Sequence, residues 1–476
     1  MKGDPMQKKY DLIVIGTGPA GEKAAVKAAY FGHKVAIIEK EKLFGGAEIV
    51  TGTLPSKTLK ESALYLSGKY DRDLFSVDRS LEHKASLEDF MYRKNQVTLS
   101  ASQEVKDNLA RHGVTTYFGT ASFKDPHTLA ITSPNAPTQE ISGTYIIIAT
   151  GSYPYHPPQI PFDNNRIHDS DSILDIKHFP TSLCIVGAGV IGCEYATIFA
   201  EMGTKVYLIN DKNSILPQID QEIAKDFVSQ MQREGIEISF DTSVNSIEVP
   251  ESNSSPLKIT LNNGRIIHTD MYLFAAGRNG NTKALGCEKI GLRIGRRETL
   301  EVDSKYRTNI PHIYAVGDVI GFPALASTSM EQGRVAVAHI FQTQDLEHLP
   351  SYFPYGIYTI PEISMVGRTE EIMIESKIPY CCGKARYADL ARGKIMGAKN
   401  GFMKIIFQKE DLRICGVHII GHIATELIHF GLELVESEQT LYDVIGKVFN
   451  FPTLHDLYKY AAYDGLSNLT GHKVKP

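Results

Sequence analysis

The sequence predicts an α/β protein that contains two Rossmann-like dinucleotide-binding domains, and three observations support this prediction. A glycine-rich motif lies between an apolar run and a helical segment, and this arrangement occurs twice at constant spacing. Each copy leads into a second apolar, β-rich run. The chain of 476 residues is long enough for roughly two to four domains.

The first copy begins with the apolar run at 12–15 and continues with Gly16-x-Gly18-x-x-Gly21 and an Ala-rich segment. This pattern predicts a strand, a tight turn and a helix. Glycines allow the backbone to approach a pyrophosphate, and the helix N-terminus offers N–H groups and the positive end of its dipole. Such a motif alone is weak evidence for nucleotide binding, because glycines are common in turns of all kinds. The flanking strands and helix favour nucleotide binding over plain turns.

The second copy, "LCIVGAGVIGCEYATIFAEMG", contains Gly187, Gly189 and Gly192. Glu39 ends the second strand of the first unit, and Asn210 holds the equivalent position in the second. A carboxylate at that position accepts hydrogen bonds from ribose hydroxyls and repels a 2'-phosphate. We therefore expect the first site to hold an unphosphorylated adenosine, such as that of FAD.

Asn210 carries no charge, which indicates that the second site accepts both NAD and NADP. Lys212, two residues further on, could attract a 2'-phosphate. The alternative is that Asn210 only begins a turn before Asp211.

The composition excludes several other classes of protein. Apolar residues make up 42% and charged residues 22%, which is typical of a soluble globular protein. The net charge of -5 indicates no nucleic-acid or membrane-surface partner. Apolar runs are too short to span a membrane, and the N-terminus lacks the apolar region of a secretory signal. A cytoplasmic protein is expected.

The cysteines predict neither a metal site nor a Cys-x-x-Cys redox motif. Adjacent Cys381 and Cys382 could form a strained disulfide, but a reducing compartment favours two thiols. The six cysteines are Cys184, Cys193, Cys287, Cys381, Cys382 and Cys415.

Further motifs resemble those of the flavoprotein disulfide reductases, the family that includes dihydrolipoamide dehydrogenase and glutathione reductase. The motifs are "GTLPSK", "IIIATGS" and "TNIPHIYAVGDVIG". Others, "GAGVIGCEYA", "YTIPEIS" and "FNFPT", are similar to the soluble pyridine nucleotide transhydrogenase branch of that family. The resemblance extends from Tyr10 to about Leu469.

The resemblance implies three domains. These are a discontinuous FAD-binding domain at 1–165 and 277–350, an NAD(P)-binding domain at 166–276 and an α+β dimerisation domain at 351–476. It also implies a homodimer or higher homo-oligomer. Residues 61–113 are predicted to form an antiparallel helix pair. In the last domain, strands are predicted at "FMKIIF" and "RICGVHIIG" and helices at "ATELIHFGLELV" and "LHDLYKYAA".

The resemblance further implies roles for single residues. Lys57 and Glu194 would be the catalytic pair beside the flavin, in which Lys57 supplies a positive charge and Glu194 holds Lys57 in place. The alternative is that the two residues are an ordinary solvated pair. The run "YAVGDV" predicts a strand that ends in Gly317-Asp318. Asp318 would bind a ribityl hydroxyl, or else merely cap the next segment. A helix beginning near Ser327 would direct its dipole at the flavin. The implied cofactor-binding residues are Gly16, Gly18, Gly21, Glu39, Gly46, Lys57, Thr150, Gly151, Gly187, Gly189, Gly192, Asn210, Gly277, Arg278, Gly317, Asp318 and Ala326.

The sequence departs from the family pattern at the thiol chemistry. Glu48 and Thr53 occupy the positions of the reactive cysteine pair, and Phe451 occupies the position of the C-terminal base. Glu48 and Thr53 cannot form a thiolate, and Phe451 cannot carry protons to or from one. Nearby His455 is expected to be an exposed helical residue. The expected function is therefore FAD-dependent hydride transfer between NADPH and NAD+, without a redox-active disulfide.

Three alternatives remain open. An NAD(P)H oxidase or quinone reductase would share the first half of the reaction and pass electrons to oxygen or a quinone. A redox-inactive FAD-binding regulatory module is a different class of protein. This alternative is considered because Glu48 occupies the position of a redox cysteine. A substrate other than a nicotinamide nucleotide could also use the pocket that holds a disulfide in the relatives.

Overall fold

The computed structural model describes residues 8–68, 86–134, 136–252, 255–343 and 348–471, and its mixed α/β architecture confirms the predicted fold class. The chain divides into two compact units. Unit 1 comprises Met1–Thr58, Met91–Pro157 and Gly277–Leu349, and unit 2 comprises Leu59–Phe90, Pro158–Ala276 and Pro350–Pro476. The finer division into three domains stays a prediction.

The α-helices of the described residues range from single turns to a helix of 25 residues. They are α1 (Pro19–Tyr30), α2 (Thr53–Ser67), α3 (Leu87–Arg111), α4 (Val190–Glu201), α5 (Gln221–Arg233), α6 (Ala326–Phe341), α7 (Glu370–Glu375), α8 (Ala391–Ile395), α9 (Ala424–Glu436), α10 (Leu441–Gly446) and α11 (Asp456–Thr470).

The strands form sheets of two to seven members. They are β1 (Lys8–Ile15), β2 (Val35–Glu39), β3 (Thr115–Phe118), β4 (Thr120–Asp125), β5 (Thr128–Ser133), β6 (Ala136–Ile148), β7 (Ser152–Pro154), β8 (Ile167–Asp169), β9 (Ser182–Val186), β10 (Lys205–Ile209), β11 (Glu237–Ser239), β12 (Val244–Glu248), β13 (Leu257–Leu261), β14 (Ile266–Thr269), β15 (Met271–Phe274), β16 (Arg278–Gly280), β17 (Ile313–Ala315), β18 (Tyr355–Ile357), β19 (Glu362–Gly367), β20 (Tyr380–Arg386), β21 (Phe402–Gln408) and β22 (Ile414–Gly421).

Unit 1 is built on a seven-stranded sheet in the order β3-β2-β1-β6-β5-β4, with β17 also paired to β6. Its β3, β2, β1, β6 and β17 are parallel, whereas β5 and β4 are antiparallel. Leu12 and Ile13 on β1 are fully buried and belong to different core clusters. Both faces of the parallel part are therefore covered, which is why the second half of β1, residues 12–15, is continuously apolar.

Unit 2 contains a second parallel sheet, in the order β11-β10-β9-β15-β8. It also contains the antiparallel sheets β12-β13-β14 and β18-β19-β22-β21-β20. Strands predicted at "FMKIIF" and "RICGVHIIG" are confirmed as β21 and β22, and the helices predicted beside them are confirmed as α9 and α11.

Three local expectations have different outcomes. Of the two helices expected within 61–113, α3 lies inside the segment, whereas α2 begins earlier, at Thr53, and only its last part reaches into it. Residues 69–85 lie outside the described residues, and the antiparallel pairing stays a prediction. The helix expected near Ser327 begins at Ala326. The strand expected to end in Gly317-Asp318 ends at Ala315 instead, because Gly317 has a φ of 77° and begins a 3-10 turn.

Helices α1 and α6 of unit 1 approach each other very closely. A Cβ atom on Gly333 of α6 would lie 2.3 Å from the backbone oxygen of Ala20 on α1. Only glycine allows this distance, since contacts of that length overlap the van der Waals radii of the atoms. Gly333 therefore sets the spacing between α6 and the N-terminal part of α1, which follows the first glycine-rich turn.

We predict that Gly333→Ala destabilises the protein by about 1–3 kcal/mol, because the added methyl group must push α6 away from α1. Gly446→Ala is the matched control, since a Cβ there meets no atom within 4 Å. Thermal denaturation should show a clearly lower midpoint for the first variant and an almost unchanged midpoint for the second. Equal midpoints would contradict this account of the helix contact.

Candidate active site

In the first glycine-rich turn, between β1 and α1, backbone segments approach so closely that a side chain would not fit between them. Gly16 has a φ of 102°, and a Cβ there would lie 2.4 Å from the oxygen of Ala149 at the end of β6. A Cβ on Gly21 would lie 2.0 Å from the oxygen of Gly16. Gly18 begins α1 without a side-chain cap. The N-terminus of α1 therefore lies close to the ends of the strands, and no side chain caps the N–H groups of its first turn.

Glu39 lies at the end of β2 and is buried. Its Oε2 accepts hydrogen bonds from the backbone N–H of Thr17 at 3.0 Å and from the Thr17 hydroxyl at 2.6 Å. Its Oε1 accepts from the N–H groups of Lys40 and Glu41 at 2.8 and 2.9 Å. These donors hold the carboxylate rigidly beside the first turn, in the position predicted for the ribose-binding group.

Two further glycine positions bring other segments to the same turn. Gly46 has a φ of 54°, and a Cβ there would lie 3.0 Å from the Cα of Gly18. Gly317 has a φ of 77°, and a Cβ there would lie 3.2 Å from the Cβ of Ala20. The N–H of Gly317 donates to Oε1 of Gln332 on α6 at 2.7 Å. The structure therefore brings together three of the predicted cofactor-binding segments of unit 1.

Asp318 belongs to a hydrogen-bonded group that the sequence only partly predicts. Ser152 Oγ donates to Asp318 Oδ2 at 2.9 Å. Arg278 donates through Nε to Ser152 Oγ at 2.9 Å and through Nη2 to the Ser152 oxygen at 3.0 Å. Ser152 was not among the predicted site residues, although the "IIIATGS" motif contains it. It connects Arg278 to Asp318, which lie on separate segments.

The hydroxyl group of Thr150 shows how well this region fits a bound dinucleotide. Its Oγ1 is buried and has no hydrogen-bond partner among the described residues. A buried hydroxyl without a partner is costly, and such groups usually find one in a ligand or an ordered water. The first turn of α6 also lacks a side-chain cap. An orphaned hydroxyl and two uncapped helix N-termini, α1 and α6, fit a polar, phosphate-bearing cofactor.

We predict that Thr150→Val leaves the thermal stability of the cofactor-free protein almost unchanged, because no hydrogen bond within the described residues is lost. FAD retention should fall by about fivefold to tenfold, the effect of one lost hydrogen bond. The ratio of flavin to protein absorbance after dialysis measures it. Thr308→Val is the comparison, since Thr308 Oγ1 donates to the oxygen of Ile313 at 2.8 Å and its loss should reduce stability instead.

The second glycine-rich turn, in unit 2, has the same construction. A Cβ on Gly187 would lie 2.8 Å from the oxygen of Ala275, which follows β15. A Cβ on Gly192 would lie 1.8 Å from the oxygen of Gly187. A Cβ on Gly189, which precedes α4, would meet no atom within 4 Å. The turn therefore presents an open backbone surface at the N-terminus of α4, as a pyrophosphate site requires.

Asn210 is buried, and its side chain is used by the protein itself. Its Nδ2 donates to the backbone oxygens of Lys212 at 3.1 Å and Ser214 at 2.8 Å, and its Oδ1 accepts from the N–H of Ala188 at 3.2 Å. Both amide protons therefore stabilise the turn, in line with the turn alternative. Asn210 retains acceptor capacity for a ribose hydroxyl but has no proton left for a 2'-phosphate. Lys212, which is exposed and lies two residues after Asn210, is the cation nearest to it in the sequence.

Glu194 on α4 is 4% exposed, so the solvated surface alternative is wrong for this residue. Its Oε1 accepts a hydrogen bond from the N–H of Tyr358 at 3.0 Å. One turn later, Thr197 Oγ1 accepts from the N–H of Ile360 at 3.1 Å. Lys57 Nζ donates to Ser56 Oγ at 3.2 Å. The pairing of Lys57 with Glu194 stays a prediction.

Glu48 lies in a π-helical segment, Ala47–Thr51, and Thr53 begins α2. Burial raises the pKa of Glu48, Glu22 raises it further, and Lys23 partly offsets the effect. A protonatable carboxyl group thus occupies one of the two positions that hold cysteines in the resembled family. π-Helical segments of this kind are frequent at functional sites.

All six cysteines are unpaired thiols, so Cys381 and Cys382 form no disulfide, as expected. Burial raises the pKa of Cys184 to about 12 and that of Cys287 to about 11.

The C-terminal base position is occupied by a side chain that cannot accept a proton. Phe451 is 77% exposed and precedes Pro452 through a cis peptide bond. His455 differs from the expectation, because it is half-buried and precedes α11 rather than lying within it. Its ring centroid is 5.9 Å from that of Phe449 and 6.4 Å from that of Tyr458.

Two glycine-rich turns, each placed at the ends of parallel strands, define a protein with two dinucleotide sites in one chain. Residues 10–333 match the sequence model of the pyridine nucleotide-disulphide oxidoreductases, and residues 353–462 match that of the family's dimerisation domain. The chain therefore belongs to the pyridine nucleotide-disulphide oxidoreductase family. No helix of the described residues is long and apolar enough to cross a membrane.

The chain is similar over nearly its whole length to proteins named soluble pyridine nucleotide transhydrogenase. The protein from Mycobacterium bovis (strain BCG / Pasteur 1173P2) is 40% identical, over 97% of this chain and 98% of the relative. Those from Pectobacterium atrosepticum and Azotobacter vinelandii are 40% and 39% identical, over 97% of this chain and 99% of each relative.

Two solved structures share the fold. LpdA from Mycobacterium tuberculosis superposes with a TM-score of 0.87 at 26% identity, over 96% of this chain and 99% of LpdA. The HOCl-induced flavoprotein disulfide reductase RclA from Escherichia coli superposes with a TM-score of 0.86 at 25% identity, over 95% of this chain and 99% of RclA.

Proposed function

We propose that the protein catalyses FAD-dependent hydride transfer between NADPH and NAD+. The observation that carries the proposal is the combination of two complete dinucleotide turns with Glu48 and Thr53 at the redox-cysteine positions. A chain that binds two dinucleotides and lacks these thiols retains the means for hydride transfer through the flavin but not for disulfide reduction. The transhydrogenase names of its relatives support the same reaction.

The residues of unit 1 would bind and orient FAD. Glu39 would accept from the adenosine ribose, and the uncapped N-termini of α1 and α6 would stabilise negative charge on the cofactor. Asp318, fixed by Ser152 and Arg278, would accept from a ribityl hydroxyl. When bound, FAD would supply the hydride-carrying chemistry between the two nicotinamide nucleotides, which these residues would orient.

The residues of unit 2 would hold the two nicotinamide nucleotides in turn at one site. The backbone around Gly189 would bind the pyrophosphate, and neutral Asn210 would admit either form of the adenosine ribose. Glu194 would position Lys57, whose ammonium would stabilise charge beside the reacting ring. The dimerisation domain indicates a homo-oligomer. A cytoplasmic location is part of the proposal.

A second candidate function, quinone reduction, is favoured by one observation. Quinone reduction consumes protons, and Glu48 places an acid group, whose pKa is raised by burial, at one of the two redox-cysteine positions. Hydride exchange between nucleotides needs no such donor. The two functions therefore differ in what they require of Glu48.

An anaerobic titration tests the proposed function. NADPH added to the FAD-loaded protein is expected to decrease the flavin absorbance near 450 nm, and NAD+ is expected to restore it with formation of NADH. Restoration by a quinone or oxygen but not by NAD+ would favour the second candidate. No absorbance change with NADPH would favour a redox-inactive module.

Lys212 is predicted to distinguish the two nucleotides, because Asn210 has no proton to donate to a 2'-phosphate. Lys212→Glu should raise the KM for NADPH by about tenfold and that for NADH by less than about twofold, since only NADPH carries the extra phosphate. Lys225→Glu, the same charge change at another exposed position of unit 2, is the control. Equal effects of Lys212→Glu on both nucleotides would contradict the assignment.

A further inference from the structure

Unit 2 contains a cavity of about 320 Å³ that is separate from its dinucleotide turn. Residues of α2, α4 and α5 form part of its wall, together with the loop Thr359–Glu362 and the segment Met396–Asn400. None of the described residues that line it belongs to the turn Gly187–Gly192. The volume is within the range of small-molecule sites.

The interior of the cavity is largely apolar. Met231 and Met396 are buried and contribute flexible thioether side chains, which adapt to ligands of varied shape. Leu64, Ile236 and Pro361 also line the cavity and extend its apolar surface.

A buried ammonium group supplies a hydrogen-bond donor at the cavity wall. Lys60 is 5% exposed, and its Nζ donates to Glu362 Oε1 at 2.5 Å and to Glu61 Oε1 at 3.1 Å. Burial alone would lower the pKa of Lys60, but the Glu362 carboxylate outweighs burial and raises it. The ammonium therefore keeps three protons, of which one has no acceptor among the described residues.

The charged groups of the lining favour an uncharged ligand over a charged one. Lys60 already contacts two carboxylates, so a ligand carboxylate would have to compete with both. Burial lowers the pKa of His422, which keeps its ring neutral near pH 7. Apart from neutral His422, the charged residues of the lining carry equal numbers of positive and negative groups, which are Lys60, Arg233 and Lys399 against Glu201, Glu234 and Glu362.

The cavity adjoins both helices that carry the expected catalytic pair. Lys60 follows Lys57 by about one turn of α2, and Thr197 follows Glu194 by about one turn of α4. The loop that bonds to Glu194 and Thr197 through its N–H groups continues into the cavity wall at Ile360.

We propose that this cavity binds a small uncharged aromatic amide, whose ring packs on the apolar wall and whose carbonyl oxygen accepts the remaining proton of Lys60. The binding itself is independent of the proposed function. An effect of the ligand on hydride transfer, through α2 and α4, rests on that function and is a separate measurement.

Acetanilide is the probe, because it combines a phenyl ring with an uncharged amide. Isothermal titration calorimetry on the FAD-loaded protein is expected to give binding about tenfold tighter than for phenylacetate or phenethylamine, its charged counterparts of similar size. Saturating NAD+ should not displace it. Weaker binding of acetanilide than of either charged probe, displacement by NAD+, or no binding of any probe would overturn the proposal.

Two variants locate the site. Ala398→Phe fills the cavity from its lining and should abolish acetanilide binding. Lys60→Met combined with Glu362→Gln removes the donor without leaving an isolated buried charge, and should weaken binding about tenfold. Lys409→Met, a change at an exposed lysine outside the lining, is the control. Unchanged binding in the first two variants would place the amide elsewhere, whatever the outcome of the nucleotide titration.

Discussion

The fold depends on one steric constraint, the absence of a side chain where a helix turns back onto the strand before it. In unit 1 a Cβ on Gly21 would come within 2.0 Å of the Gly16 oxygen, and in unit 2 a Cβ on Gly192 would come within 1.8 Å of the Gly187 oxygen. Because these contacts are possible only for glycine, α1 and α4 begin directly at the strand ends. Their N–H groups and dipoles then face the places where phosphates are expected.

Buried charge provides a second constraint, within unit 2. Lys404 on β21 is fully buried, and its ammonium bonds to both oxygens of Asp220 at 3.0 and 2.9 Å. Asp220 also caps α5 by accepting from the N–H groups of Glu222 and Ile223. Asp220, Glu222 and Glu370 could together hold a cation, but the ammonium of Lys404 bonds to all three. This cluster joins α5 to the antiparallel sheet, and loss of one partner would leave an uncompensated buried charge.

The sequence predicts the parts of the site that depend on local geometry. Gly16, Gly18 and Glu39 could be identified because a strand, a tight turn and a helix impose fixed spacing on them. It did not predict that both amide protons of Asn210 would be used by neighbouring carbonyl groups. The use of these protons depends on how the chain continues after the strand, and an isolated asparagine fits a turn or a ligand equally well.

Contacts between distant parts of the chain were beyond prediction from sequence. The Tyr358 N–H that holds Glu194 and the Glu362 carboxylate that holds Lys60 belong to a segment far along the chain from both. Ser152, which links Arg278 to Asp318, has no distinguishing pattern of its own. Such contacts follow from the packing of whole sheets and loops, so a local pattern carries no signal for them.

The buried cysteines have a consequence for how the protein withstands oxidants. Peroxides attack the thiolate form, and groups such as Cys184 and Cys287, with pKa values of about 12 and 11, hold almost none of it at neutral pH. Their environment thus delays damage where an activated thiol would be consumed first.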